Sequence, residues 1–251
     1  MKPSPPLPVY CHGLPGSAAE ISKLVPKGVT SPTAIAPLDL DGFDRVLQNA
    51  HSDKAHLIGF SLGAMTALKI ASQRPKQVSQ ITLIAPAAPL ELGDFLPNMA
   101  GGAVFKTAKK GAIAFKLFTT FQSLGVTLAP KPIISTMFAG SPDADMDLLA
   151  DSGFYDVILG GLKSSLGRDN RVYRDAVIAY VTPWADCLEN ISAPVTIYHG
   201  TLDNWAPIEM ADVLQTGIPS DVSVVRLKGL GHYSALHKAL PQILAAPDIN
   251  L

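Results

Sequence analysis

Residues 55–73 read AHLIGFSLGAMTALKIASQ, and this stretch decides the fold class. Its first six residues form a short apolar run, which is typical of a buried strand. Its last twelve residues carry small and apolar side chains at helical spacing, which is typical of a helix that packs closely on a sheet. Ser61 lies at the turn between them. A strand that runs straight into a helix forces the turn residue into a strained conformation and projects its side chain into an open crevice. Gly59 and Gly63 allow neighbouring backbone to pass close by.

The five residues from Gly59 to Gly63 therefore predict a serine nucleophile at Ser61. The pattern is short enough to occur by chance, so the rest of the chain has to support it. The alternative role for Ser61 is to cap the N-terminus of the helix that follows. A capping serine requires neither of the flanking glycines, and we therefore favour the nucleophile.

Two later segments supply the other groups that serine hydrolysis needs. Residues 194–199 read as a buried strand, and Asp203 follows in a polar loop; residues 222–227 read as another strand, and His232 lies in its exit loop. All the predicted strands, which include residues 33–38, are apolar on both faces, as buried parallel strands are. Open α/β sheets bind ligands beyond the carboxyl ends of their strands, where both side chains fall. We predict Asp203 as the acid that orients the base, and His232 as the general base.

Each of these two residues has a rival nearby. Asp212 lies nine residues after Asp203, but it falls inside the next predicted helix, whereas Asp203 lies in a loop. His237 lies one helical turn beyond His232, in a helix predicted over residues 235–245, and we expect it to face solvent. The loop positions favour Asp203 and His232.

A glycine-rich loop follows the first predicted strand, residues 7–11. It reads HGLPGS from His12, and a strand exit of this kind can turn a backbone N–H toward the crevice, where it stabilises an oxyanion. His12 and His199 both precede glycines at strand ends, where we expect them to hydrogen-bond loop backbone rather than to bind a metal. No Cys/His/Asp cluster has zinc spacing and no glycine-rich loop fits a phosphate or dinucleotide, so we expect no metal and no cofactor.

The nucleophile, acid and base occur in the chain order Ser61, Asp203, His232, and with these motifs the chain resembles the α/β-hydrolase superfamily, in particular its serine esterases and lipases. The resemblance covers residues 7–90 and 191–245. It implies an α/β fold with a mostly parallel sheet flanked by helices and a Ser-His-Asp triad. It also implies that Leu62 and Leu14 donate the two N–H groups of an oxyanion hole.

The resemblance also implies a division of the chain. Residues 1–90 and 191–251 would form the hydrolase core, and residues 91–190, which lack strand alternation, would form a helical lid inserted after the fourth strand. Members of the superfamily usually carry two strands before the His-Gly loop, and here the N-terminus is too short for them. That shortening would place residues 33–40 at the sheet edge, covered by the proline-rich N-terminus or by a second subunit in a homodimer.

The predicted lid contains two groups of side chains that leave alternatives open. One group is apolar and could line an acyl or aromatic pocket, although core packing is the commoner role; it comprises Phe95, Phe105, Phe115, Phe118, Phe121, Met137 and Phe138. The other is basic and could meet an anionic group, although a solvated helix face is the commoner reading; it comprises Lys106, Lys109, Lys110 and Lys116.

The composition of the chain restricts the kinds of partner and the cellular compartment that we expect. The chain has 251 residues, 47% of them hydrophobic, which suffices for one domain with a large core. A net charge of −1 gives no overall electrostatic attraction to nucleic acid or to an anionic membrane. We expect both cysteines to be small apolar core residues. The first residues contain no signal-peptide core, and no apolar run approaches the roughly 18 residues of a membrane span, so we expect a cytoplasmic protein.

These observations predict a carboxylic ester hydrolase of class EC 3.1.1 that acts on a small acyl substrate through an acyl-enzyme. A thioesterase, an acyltransferase or a carbon–carbon bond hydrolase would use the same triad, so these activities stay open. Dehalogenases and epoxide hydrolases of this superfamily use an aspartate where this chain has Ser61, which argues against both. A ligand-binding, receptor-like protein with little turnover is the alternative of a different class.

Overall fold

A parallel sheet forms the centre of the molecule in the computed structural model, which describes residues 5–245. In this part of the chain six strands lie in the order β2-β1-β3-β4-β5-β6, and every neighbouring pair is parallel. The strands are β1 (Leu7–Cys11), β2 (Thr33–Ile35), β3 (Ala55–Phe60), β4 (Val78–Ile84), β5 (Val195–Gly200) and β6 (Val222–Leu227). The predicted α/β fold with a mostly parallel sheet is confirmed.

Helices connect the strands and flank the sheet. Those of the sheet layers are α1 (Leu40–Asn49), α2 (Gly63–Gln73), α9 (Glu209–Gly217) and α10 (His232–Ala245). Six more follow β4 and precede β5 in the described residues, and we call them the helical insertion: α3 (Gly102–Lys109), α4 (Ala112–Leu128), α5 (Pro130–Met137), α6 (Asp143–Ala150), α7 (Ser152–Leu166) and α8 (Arg171–Val181).

The two edge strands differ from their sequence-based description. β2 ends at Ile35 rather than at Leu38, because Leu38 has a φ of +60° and donates its N–H to Thr66 Oγ1 instead of to a strand. β6 alternates between exposed and half-buried residues, so the expectation that every strand is apolar and buried on both faces is wrong there. β2 lies at the sheet edge. Its covering by the N-terminus falls partly on residues 1–4, outside the described residues, and the homodimer stays a prediction.

Glycines let helix α2 lie directly on the sheet. A Cβ on Gly63 would come 2.0 Å from the carbonyl oxygen of Cys11 in β1, and a Cβ on Gly59 would come 2.9 Å from Cα of Ala64. Both contacts are with backbone, which cannot swing aside as a flexible side chain would. The glycines on either side of Ser61 are therefore required by the close approach of α2 to β1 and β3.

Most of the phenylalanines singled out in the predicted lid are buried. Phe95, Phe105, Phe115 and Phe138 are buried, whereas Phe121 is 73% exposed. Core packing therefore describes Phe95, Phe115 and Phe138, whereas Phe105 also lines a cavity. Phe121 fits neither alternative.

Within residues 5–245 no single helix is long and apolar enough to cross a membrane. Helices α4 and α5 together reach that length and composition, but they meet at a bend of 117°.

Candidate active site

Ser61 lies at a strained turn between β3 and α2. Its φ is +53°, a region that few residues other than glycine adopt. The neighbouring strand holds this conformation, because the Ser61 N–H donates to Ile84 O at 3.1 Å. The Ser61 carbonyl in turn accepts from the N–H groups of Ala64 and Ala87, each at 3.1 Å. Strain of this kind persists where surrounding hydrogen bonds over-determine the backbone, and it is concentrated at functional sites.

Asp203 and His232 form a buried hydrogen-bonded pair. Asp203 lies in the loop after β5, and its Oδ2 is 2.7 Å from Nδ1 of His232. The other carboxylate oxygen, Oδ1, accepts from the backbone N–H groups of Trp205 at 2.8 Å and Ala206 at 2.9 Å. Because an ionised carboxylate only accepts, Nδ1 of His232 carries the proton. Nε2 of His232 is then the unprotonated nitrogen, which can accept a proton from a nucleophile.

Aromatic rings hold the His232 imidazole in place. The indole of Trp205 stacks on it with 5.5 Å between centroids and 9° between planes, and Phe60 lies against it at 4.8 Å. Phe60 directly precedes Ser61 in the chain, so this contact places the imidazole against the residue before the strained turn. In residues 5–245 neither Ser61 Oγ nor His232 Nε2 hydrogen-bonds a protein group. Such catalytic hydrogen bonds often form only in the substrate complex.

His232 is the first residue of α10 and not part of the exit loop, so that expectation from the sequence is wrong. The cause is Asp145 of the insertion, which is fully buried. Its Oδ2 accepts from the N–H of His232 at 2.9 Å, and its Oδ1 accepts from the N–H of Ser234 at 2.8 Å and from its hydroxyl. A carboxylate at a helix N-terminus satisfies N–H groups that lack partners within the helix. The expectation that His237 faces solvent is also wrong, because it is half-buried against Phe154.

The His-Gly loop packs beside a buried acid, Glu20. The Glu20 carboxylate accepts a 2.7 Å hydrogen bond from Tyr10 OH and a 3.2 Å hydrogen bond from the N–H of Gly13. Burial raises the pKa of Glu20 to about 7, although both hydrogen bonds and the nearby His232 act in the opposite direction. Through these two hydrogen bonds, Glu20 connects the loop that contains Leu14 to strand β1.

Two further histidines hydrogen-bond loop backbone. Nδ1 of His12 lies 2.8 Å from Gly13 O, and Nε2 of His199 lies 2.7 Å from Ala206 O. His199 Nε2 also lies 3.5 Å from Asp203 Oδ2. Burial lowers the pKa of both imidazoles. Among the described residues no group of three or more His, Cys, Asp or Glu could hold a metal ion.

A narrow cavity opens beside Ser61. The centre of a water molecule can occupy about 50 Å³ of it, room for only a few waters. Leu14 and Leu62 both line it, and within residues 5–245 neither donates its N–H to a protein acceptor. The remaining lining is uncharged and mostly apolar; it consists of Pro15, Ala87, Met99, Gly101, Val104, Phe105, Tyr173, Val177, Trp205 and Ala206. The predicted lysine cluster is not part of it.

Comparison with known proteins agrees with this architecture. Residues 36–239 match the family described as the α/β hydrolase fold. The chain belongs to the α/β-hydrolase family. A curated relative is the pimeloyl-[acyl-carrier protein] methyl ester esterase of Vibrio campbellii, which is 24% identical over 85% of this chain and 70% of its own length.

Solved structures resemble this chain over nearly its full length. A bromoperoxidase from Bacillus anthracis superposes with a TM-score of 0.62 at 17% identity, covering 96% of this chain and 90% of that one. A hydrolase from Pseudomonas aeruginosa gives a TM-score of 0.64 at 14% identity, with 96% and 90% covered. At these identities the likeness establishes the fold alone.

Sequence reasoning within this α/β hydrolase missed three residues near the candidate triad. Asp145 reads as an ordinary acid in the first turn of α6, and Glu20 lies in a polar-looking loop, so neither gives a local signal. Trp205 lies two residues after Asp203, and this spacing was the only available hint. All three acquire their roles through contacts with segments that are distant in the chain.

Proposed function

We propose that this chain is a carboxylic ester hydrolase in which Ser61 is the nucleophile, His232 the general base and Asp203 the acid that orients the base. The observation that carries the proposal is the 2.7 Å contact between His232 Nδ1 and Asp203 Oδ2, which leaves Nε2 free to accept a proton. The same imidazole lies 4.8 Å from the ring of Phe60, the residue before the strained Ser61 turn. The esterase activity named for the Vibrio campbellii relative supports the same reaction class.

In the proposed reaction, His232 Nε2 takes the proton of Ser61 Oγ as that oxygen attacks the ester carbonyl. The N–H groups of Leu14 and Leu62 hydrogen-bond the oxyanion. Asp203 stabilises the imidazolium, which then protonates the leaving alcohol. Water repeats the two steps on the acyl-enzyme and releases the carboxylic acid.

The uncharged lining of the cavity supports a substrate whose group next to the carbonyl is apolar and uncharged. Because the cavity admits only a few waters, an acyl chain longer than a few carbons enters only when side chains from the insertion move, in particular Val104 and Phe105 of α3. We accordingly propose residues 91–190 as a lid over a core formed by residues 1–90 and 191–251.

The test combines a covalent probe with an ester series. The wild type is incubated with a fluorophosphonate and its intact mass is measured, together with Ser61→Ala and the control Ser135→Ala, which changes an exposed serine on α5. We expect one adduct in the wild type and the control and none in Ser61→Ala. p-Nitrophenyl esters of increasing acyl length are then hydrolysed by the same proteins.

An adduct that persists in Ser61→Ala, or ester turnover that is unchanged in it, would contradict the proposed nucleophile. Turnover that is greatest for short acyl chains would agree with the narrow cavity. A thioesterase or acyltransferase would instead prefer thioester substrates or transfer the acyl group to an added alcohol, and product analysis separates these two cases from hydrolysis.

A further inference from the structure

Helix α4 presents an apolar face to the outside of the molecule. Its members follow one another at spacings of four, four, three and four residues, which places them on one side of a helix. In chain order the members are Ile113, Leu117, Phe121, Leu124 and Leu128, and they are 81%, 60%, 73%, 54% and 73% exposed, respectively. Ten large hydrophobic side chains are exposed in residues 5–245, and five of them lie on this one face. We call these five residues the α4 face.

The opposite side of α4 provides most of its packing. Phe115, Thr119 and Val126 are buried on that side, and α4 contacts α3, α5, α7 and α8. Contiguous exposed apolar surface of this kind marks an interaction site in a folded protein.

The chain segment that contains the α4 face carries charge of one sign. Residues 95–142 contain five lysines and no acidic residue, so this segment carries +5 while the remainder of the chain, whose total is −1, carries −6. Lys109 ends α3 and Lys110 follows it, two residues before α4; Lys116 lies within α4, and Lys131 follows it by three residues. All four are exposed. The near-neutral net charge of the whole protein therefore conceals a strongly basic region.

We propose that the α4 face is a docking surface for an anionic lipid bilayer, into whose interface its apolar side chains insert while the lysines contact the headgroups. A helix with apolar side chains on one face and lysines beside it fits this interface. The site does not rest on the esterase proposal, because binding of lipid requires no turnover.

Two other occupants fit the observations less well. A second copy of this chain in a two-fold dimer would bring the same patch against itself and oppose five lysines with five lysines. A protein partner needs a surface complementary to a protruding helix, whereas a fluid bilayer interface deforms around isolated side chains. Any occupant of this basic surface needs negative charge, and an anionic bilayer supplies that charge without a matched shape.

Docking there would bring the active-site cavity close to the membrane. Helix α3 packs against α4 and supplies Val104 and Phe105 to the cavity lining. A bilayer on the α4 face would thus lie one helix away from the side chains that narrow the cavity.

The test is co-sedimentation of the full chain with vesicles of phosphatidylcholine and phosphatidylglycerol in a 3:1 ratio, and with vesicles of phosphatidylcholine alone. We expect binding to the anionic vesicles that weakens as NaCl rises from 0.1 M to 1 M, because the screening length falls from about 10 Å to about 3 Å. Binding to the neutral vesicles is expected to be at least tenfold weaker.

Two variants and two controls separate the apolar and the basic contributions. Leu117→Gln with Phe121→Gln removes two members of the α4 face, and we expect at least tenfold weaker binding. Lys109→Gln, Lys110→Gln and Lys116→Gln together are expected to weaken binding about 100-fold. The controls are Val172→Gln, an exposed apolar residue of α8, and Lys238→Gln, an exposed lysine of α10; both should bind as the wild type does.

Thermal unfolding and light scattering without lipid accompany these measurements. Wild type that does not bind anionic vesicles would overturn the proposal. Binding that survives in the Leu117 and Phe121 variant would also overturn it. A wild-type dimer that becomes monomeric in that variant would assign the α4 face to self-association instead.

Discussion

The buried carboxylate of Asp145 accepts a 2.9 Å hydrogen bond from the backbone N–H of His232, 87 residues later in the chain. The first residue of α10 is therefore held by a side chain from α6 of the insertion. Because α10 begins with the candidate base, any displacement of its first turn moves the imidazole relative to Ser61. The insertion thus contributes to the geometry of the candidate triad as well as to the cavity wall.

Asp145→Asn tests this relationship. The amide group of asparagine presents N–H donors where one carboxylate oxygen accepts from backbone N–H groups, so the start of α10 should shift. We expect kcat to fall at least about 10-fold with KM little changed, and the free energy of unfolding to fall by about 2–3 kcal/mol. Steady-state kinetics and urea denaturation measure the two effects.

The matched control is Asp143→Asn, which alters an exposed acid on the same turn of α6. It should leave both quantities within error of the wild type. A kcat in Asp145→Asn equal to that of Asp143→Asn would show that the first turn of α10 does not depend on the buried carboxylate.

Asp203→Asn should change the tautomer of His232. Oδ1 of Asp203 accepts two backbone N–H groups, so the asparagine must keep its oxygen there and turn its amide nitrogen toward His232. That nitrogen donates to Nδ1 of His232, so the imidazole proton moves to Nε2. A protonated Nε2 cannot accept the proton of Ser61 Oγ. We expect kcat to fall about 10⁴-fold.

The comparison for this variant is Asp212→Asn, which breaks an exposed ion pair with Arg226 and should leave kcat unchanged. If the two variants had equal activity, Asp203 would not be the orienting acid. Nitrogen-15 chemical shifts of the His232 ring identify the tautomer directly.

Glu20 should make stability depend on pH. Its pKa in the folded chain is about 7, above the ordinary value of 4.5, so the native state binds more protons than the unfolded state between these values. The contribution of Glu20 to stability is therefore fully present below pH 4.5 and is lost as pH rises to about 7. The loss is at most about 3 kcal/mol.

Glu20→Gln removes this titration and keeps an acceptor for Tyr10 and Gly13. We expect the variant to be more stable than the wild type at pH 8, with the difference vanishing near pH 4. Urea denaturation at several pH values measures it, and the comparison with wild type cancels the buried histidines, such as His56, whose pKa burial lowers to about 4. A difference that is constant with pH would refute the assignment.

Gly63→Ala should destabilise the fold strongly. The new Cβ would come 2.0 Å from Cys11 O, so α2 and β1 must separate, and we expect a loss of about 3 kcal/mol or more. Gly160→Ala in α7 is the matched change, because its Cβ meets nothing within 4 Å. It should stabilise the chain by up to about 1 kcal/mol through helix propensity. Thermal and urea denaturation compare the two.

Most of the fold could be predicted from the sequence, because the residue patterns that define strands and helices are local. Strands β1 and β6 begin and end where the apolar pattern predicts, since their neighbours in the chain are turn residues. The bounds that differ have long-range causes. β2 ends early because Thr66 of α2 captures the N–H of Leu38, and α10 begins three residues early because Asp145 caps it.

The candidate site likewise contains residues whose positions could be predicted from the local sequence and residues whose positions could not. The positions of Ser61 and Asp203 beyond the carboxyl ends of β3 and β5 were predictable, because the spacing of each residue from its strand is a local property. Glu20 and Asp145 were not, because their burial depends on packing between segments far apart in the sequence. An acid in a polar stretch looks solvated until another segment covers it.

The stacking of Trp205 on His232 gives the molecule an internal optical reporter. An imidazolium accepts an electron from an excited indole more readily than a neutral imidazole does, so protonation of His232 should dim the emission of Trp205. The chain contains only two tryptophans, Trp184 and Trp205, and Trp184→Phe isolates the second signal. The charge state of the candidate base could then be followed in real time during an acylation, without any added label.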